Sequence, residues 1–184
     1  MINRNTYGDS PDNSPITPAV ASNVRRQMKK VTLYSDGACS VNPGPGGWGT
    51  ILEYNGTQKE FSGGFRNTTN NRMELMGIIE PLRLLKEPCE VTVYTDSMYI
   101  VNSINKKWID GWLKRGWKRS DKEPVANIDL WKLVLELREV HQLDLNWVKG
   151  HNEHEENERC DEIAVAARQQ SDLQIDTEYE KGIN

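Results

Sequence analysis

No run of apolar residues in this chain is long enough to cross a membrane, a span that takes about 20 residues. The first residues also lack the apolar centre of a secretory signal. Cysteine is scarce: Cys39, Cys89 and Cys160 stand far apart, odd in number and without a CxxC pair. That argues against a disulfide frame or a zinc site, and for free thiols in a reducing compartment. An excess of positive charge is missing too, since the net charge is −4. A cytoplasmic protein with no membrane contact and no chain-wide attraction to nucleic acid is expected.

What is present fits one globular domain. The chain has 184 residues, 36% apolar and 27% charged, enough for one sizeable core and too little for two. Its charge is uneven. Lys106 to Glu123 holds seven Lys or Arg against three acids, whereas Asn152 onward holds ten acids against three Lys or Arg. A basic stretch in an acidic chain can be a local docking site that the total conceals.

Residues 1–28 are rich in Asn, Ser, Pro, Asp and Thr without apolar periodicity, and read as a disordered leader. The folded domain is expected over residues 29–170, and an acidic, frayed tail over 171–184. Val31 to Ser35 is strand-like, and two alternating runs around Asn55-Gly56 predict a hairpin. Met73, Met76, Ile79, Leu82 and Leu85 form a helical stripe interrupted by Pro81, where a kink or early break is expected. A strand at Val91–Thr95, helices at about 97–105 and 128–140, and a strand at 143–148 follow. The last helix runs through residues 163–167, opened by a capping box of Asn152 and Glu155. A three-strand meander followed by α-β-α-β-α predicts an α/β fold with a mixed sheet.

VTLYSD (31–36) and VTVYTD (91–96) are near repeats that both end a strand in aspartate. If the strands are parallel neighbours, Asp36 and Asp96 emerge side by side at their carboxyl ends, where open α/β sheets place their sites. Two such carboxylates repel unless a cation holds them. A hard dication with oxygen ligands, Mg²⁺ or Mn²⁺, suits them. Each aspartate alone would serve equally well as a turn or helix cap. Glu74 in TTNNRMELM and Asp161 in HNEHEENERCDE add two carboxylates in distinctive settings.

DGACSVNPGPGGWG, TTNNRMELM, YTDSMY, WVKGH and ENERCDE, in that order and spacing, resemble type 1 ribonuclease H of the bacterial kind, over roughly residues 30–168. The resemblance implies a five-stranded mixed sheet with the first strand central, flanked by helices. It implies an endonuclease that cuts the RNA strand of an RNA–DNA hybrid with two divalent metals, leaving 3′-hydroxyl and 5′-phosphate ends, and acting as a monomer. The family's catalytic carboxylates fall on Asp36, Glu74, Asp96 and Asp161. Two metals about 3.5–4 Å apart can clamp the attacking water and the leaving oxygen. Asp36 suits the bridging ligand, Glu74 and Asp96 one ion's shell, and Asp161 the other's. His151 matches the family's loop histidine, a proton carrier near neutral pH; His154 reads as an ordinary loop residue.

Asn42, Asn70 and Asn157 match positions that contact the hybrid near the cut, Thr69 matches one that holds a DNA-strand phosphate, and Cys39, on the same loop as Asn42, is a further candidate contact. An Asn amide can both donate to and accept from the ribose 2′-hydroxyl that distinguishes RNA. One departure is visible: Met98 stands where the bacterial pattern has Gln, so grip there is weaker or differently placed. Residues 106–122 resemble the family's basic handle. There Lys106, Lys107, Lys114 and Lys118 are expected on DNA-strand phosphates, and Trp117 stays open between contact with a sugar or base and packing. Trp108 and Trp112, four apart, are expected to pack beneath them. A recombinase or integrase nuclease would share the acids without both TTNNRMELM and WVKGH. A non-enzymatic hybrid-binding module would tolerate loss of one acid, and none is lost.

Overall fold

A computed structural model describes residues 28–150 and 154–182. Its first strand, β1 (Lys29–Cys39), runs four residues past the Val31–Ser35 core of the pattern. The reason is its neighbour, β2 (Gly44–Tyr54), which pairs antiparallel with it and sets Gly49, Gly47 and Gly46 opposite Asp36, Ala38 and Cys39. Asn55 and Gly56, both at positive φ, then turn β2 into β3 (Thr57–Thr68), as the hairpin signal requires.

Helix α1 (Asn70–Arg83) lies almost on the backbone of β1. A Cβ on Gly37 would overlap the Glu74 nitrogen, and one on Gly77 would overlap the Ser35 hydroxyl. The break expected at Pro81 does not occur, for a tertiary reason. Proline leaves the Gly77 carbonyl without its helical donor, and the buried Thr50 hydroxyl of β2 donates to it at 2.5 Å.

The chain continues through β4 (Cys89–Thr95), α2 (Met98–Asn105), α3 (Trp108–Lys114), α4 (Ile128–Val140) and β5 (Gln142–Trp147). Strand order is β3-β2-β1-β4-β5, with β1 central as expected. β4 is parallel to β1, Tyr34 opposite Tyr94 and Ser35 opposite Thr95, and β5 is parallel to β4. Leu33, Val91, Val93, Leu75, Ile79 and Trp131 anchor the core between the sheet and α1, α2, α3 and α4. Helix α5 (Glu155–Ala167) covers the other face of β1 and β2. It starts at Glu155 with His154 in the cap position and no side-chain cap bond. Asn152, the other half of the expected box, lies outside the described residues, as do His151 and all of the leader except Met28.

The tail is not frayed over its described part. Arg66 N donates to the Gln174 carbonyl at 2.9 Å and Gln174 N to the Gly64 carbonyl at 3.2 Å, extending the β3 edge. A short helix, α6 (Thr177–Glu180), is capped by Asp176. Asp176 meets the buried Arg72 guanidinium at 2.6 and 2.8 Å, and Asp129 takes the other side of Arg72 at 2.9 and 2.7 Å. The Thr68 hydroxyl also donates to Asp176, at 2.7 Å. Acidic composition suggested solvation; one buried cation reversed the outcome. The three cysteines are free thiols, and among the described residues no helix is long and apolar enough to cross a membrane.

Candidate active site

Parallel register carries Asp36 and Asp96 to adjacent strand ends, one residue beyond the Ser35–Thr95 pair. The close approach of α1 at Gly37 brings Glu74 over the same point. Carboxylate oxygens of Asp36, Glu74 and Asp96 all lie within 4.8 Å of one another. Asp36 is 6% exposed and Glu74 5%, while Asp96 is half-buried.

Such a group resists ionisation. Burial first, then the charges of Asp96 and Asp161, pushes Asp36 up to about 7, although the Gly37 N–H donating at 2.7 Å opposes the shift. Burial, with Asp36 and Asp96 next, pushes Glu74 well above the usual carboxylate range. Glu74 Oε1 accepts from Asn70 at 3.3 Å, whereas its buried Oε2 has no hydrogen-bond partner among the described residues. Three converging oxygens, mutual repulsion and an orphaned acceptor fit a hard dication. Asp161 sits half-buried on α5, outside the three-way convergence but close enough to act on Asp36.

The residues expected near the cut lie on or beside the elements that carry these acids. Cys39 is half-buried at the end of β1, and Asn42 is exposed on the β1–β2 loop. Asn42 Oδ1 accepts the Asn70 backbone N–H at 3.2 Å, joining that loop to the start of α1, where Thr69 holds the cap position. Asn157 differs: it is 3% exposed, and its Oδ1 has no hydrogen-bond partner among the described residues. Met98 is exposed at the first turn of α2.

In the handle, Lys106, Lys107, Lys114 and Lys118 are all exposed. Trp112 is buried edge-on against Trp131, with ring centroids 5.5 Å apart. Trp108, expected to pack beside it, is 41% exposed with Lys106 Nζ over its ring. Helix α3, seven residues long, buries Trp112 and leaves Trp108 partly open. Trp117 is half-buried against the core. A cleft lined by Tyr99, Lys107, Trp108, Trp112, Arg115 and Arg119 opens here. Trp147 escaped the sequence reading: its Nε1 donates to the Asp96 carbonyl at 3.1 Å. Aligning LDLNW with VTVYT would have placed it opposite Thr95.

A family model described as RNase H matches residues 28–169. The chain is 54% identical over 155 residues to the ribonuclease H of Desulforamulus reducens, covering 84% of this chain and 98% of that one. It is 56% identical over 156 residues to the ribonuclease H of Rippkaea orientalis, covering 84% and 96%. Among solved structures it is similar to LC9-RNase H1, a type 1 RNase H with the type 2 active-site motif. That match has TM-score 0.68 and 32% identity, over 84% of this chain and 81% of that one. LC11-RNase H1, solved with an RNA/DNA hybrid, shares the fold at TM-score 0.57 and 22% identity, over 84% and 99%.

Proposed function

Because this chain belongs to the ribonuclease H family, we propose that it is an endonuclease hydrolysing the RNA strand of RNA–DNA hybrids to 3′-hydroxyl and 5′-phosphate ends, as a cytoplasmic monomer. The convergence of Asp36, Glu74 and Asp96 within 4.8 Å, with a buried Glu74 oxygen left unpartnered, supports the hydrolytic reading. Asp36, Glu74 and Asp96 would hold one ion, and Asp36 would be shared with a second that Asp161 completes. When bound, Mg²⁺, or Mn²⁺ in its place, neutralises charge at the scissile phosphate and lowers the pKa of a bound water. Asn42, Asn70 and Asn157 are assigned to the RNA strand near the cut, with Cys39 beside them and Thr69 on a DNA-strand phosphate. The Asn70 backbone N–H holds the Asn42 amide, and Glu74 holds that of Asn70. His151, outside the described residues, is assigned proton transfer or product release.

End-labelled hybrid, duplex RNA and duplex DNA, each with and without Mg²⁺, test this directly. Cleavage should be confined to the RNA strand of the hybrid and require the metal. Comparable cutting of duplex RNA or of DNA would overturn the assignment.

Docking is assigned to the handle. The chain is net acidic, so hybrid binding should rest on Lys106, Lys107, Lys114 and Lys118, with Trp117 beside them. Each duplex phosphate contact contributes about 0.9 to the slope of log affinity against log salt. Replacing the four lysines with Ala should flatten that slope, measured in Ca²⁺ across a salt series, and weaken binding most at low salt. Turnover at saturating hybrid should be nearly unchanged. An unchanged slope would mean that the hybrid docks elsewhere.

A further inference from the structure

Gly150 is a glycine that its own backbone does not require. Its φ lies outside the left-handed range, so L-residues could adopt the same conformation. A neighbour excludes the side chain instead: a Cβ there would overlap Asp96 Oδ2 and stand 3.3 Å from Cγ. The turn that carries Asp96 is held from the same direction. Val148 N donates to the Thr95 carbonyl at 3.0 Å, and Trp147 Nε1 donates to the Asp96 carbonyl at 3.1 Å. The chain leaving β5 therefore follows β4 past its end and lays the bare Gly150 backbone against the carboxylate.

We propose that Gly150 and Trp147 are positioning residues that hold the Asp96 carboxylate facing Asp36 and Glu74. The proposal rests on reading those three residues as the metal site. Without an ion, three crowded carboxylates repel one another, so their arrangement depends on what surrounds each side chain. Asp96 Oδ2 sits in the space that a side chain at position 150 would take, while Trp147 fixes the backbone from which the carboxylate extends. Ligands held by an outer shell in this way bind metal without first being reordered. The overlap expected at Gly150 is with the tip of a flexible side chain. Gly37 differs, since its Cβ would strike the α1 backbone. Gly150→Ala should therefore displace a carboxylate and leave the fold standing.

Mn²⁺ binding to the full-length, hybrid-free protein, followed by calorimetry, separates the outcomes. Asp96→Asn should weaken Mn²⁺; if it does not, the metal reading itself fails, and this proposal with it. Gly150→Ala should weaken Mn²⁺ by about 10–100-fold and lower kcat by a similar factor. The KM for hybrid and the melting temperature should change little. Trp147→Phe, which keeps an aromatic ring and removes the donor, should weaken Mn²⁺ by about fivefold. In an Asp96→Asn background, Gly150→Ala should add almost nothing, because its effect runs through Asp96. Unchanged Mn²⁺ affinity in Gly150→Ala, or an undiminished effect in the Asp96→Asn background, would overturn the assignment. So would a collapse in melting temperature, which would show that the side chain collides with the fold.

Discussion

Asp36→Asn is expected to abolish cleavage of RNA–DNA hybrid, to below about one thousandth of wild type, while making the metal-free protein more stable. The loss follows from ligand chemistry. A neutral amide is a poorer ligand for a hard dication, and metal-ion stabilisation of the developing charge is worth several kcal/mol, with about 1.4 kcal/mol per decade of rate. The stability gain follows from crowding. Burial and Asp96 raise Asp36 from 3.8 to about 7 in the folded protein. Between those values the folded state binds the proton that the unfolded state has lost. Stability of the metal-free protein therefore falls as pH rises from about 4 to 7, by an amount on the order of a few kcal/mol. An asparagine Oδ1 can still accept the Gly37 N–H and carries no charge to repel. In a chelator, the melting temperature of Asp36→Asn should exceed that of wild type at pH 8, and the difference should vanish near pH 4. Near-wild-type Mg²⁺ activity in a folded Asp36→Asn protein would sink the catalytic assignment. An unchanged melting temperature at pH 8 would refute the electrostatic account.

The second large effect belongs to stability alone. Asp176→Ala removes a carboxylate that accepts from Arg72, from the Thr68 hydroxyl and from the Tyr179 N–H. Arg72, 2% exposed, would keep Asp129 as its one carboxylate partner among the described residues. Breaking a buried pair on one side costs about 3–5 kcal/mol, because the remaining charge is left desolvated. In a chain of this size that amounts to roughly 10 °C in melting temperature. Truncation after Gln170 should cost at least as much, since it also removes the Gln174 bridge to β3 and the Arg66–Glu180 pair. Urea unfolding of both variants measures it. A truncated protein within a degree or two of wild type would show that the tail merely rests on β3.

The elements that could be read from the sequence were those whose cause is local. The helix Ile128–Val140 carries its own apolar stripe, and the hairpin follows from two residues that tolerate positive φ. The VTLYSD and VTVYTD repeat also placed Asp36 and Asp96 together, because parallel strands in register keep equivalent residues adjacent. What could not be read depends on partners far along the chain. Pro81 is accommodated by Thr50, and the tail is held by Arg72 104 residues earlier. No local pattern announces either contact. Trp108 was misjudged for a related reason: an i, i+4 pair shares a face, but a seven-residue helix beside a cleft need not bury both members. The grip of Trp147 and Gly150 on Asp96 was hidden too, since it depends on how far β5 runs beyond β4.

The Arg72 network also sets an order of assembly on the ribosome. Arg72 is made early, Asp129 follows 57 residues later and Asp176 only after 104. At translation rates of roughly 5–20 residues per second, the arginine waits about 5–20 s for its second carboxylate. During that interval the nascent chain can build the sheet and α1 while the strand-to-helix corner at Thr68 still lacks its fastening. The corner presenting Thr69 and Asn70 is thus among the last parts of the molecule to become rigid during synthesis.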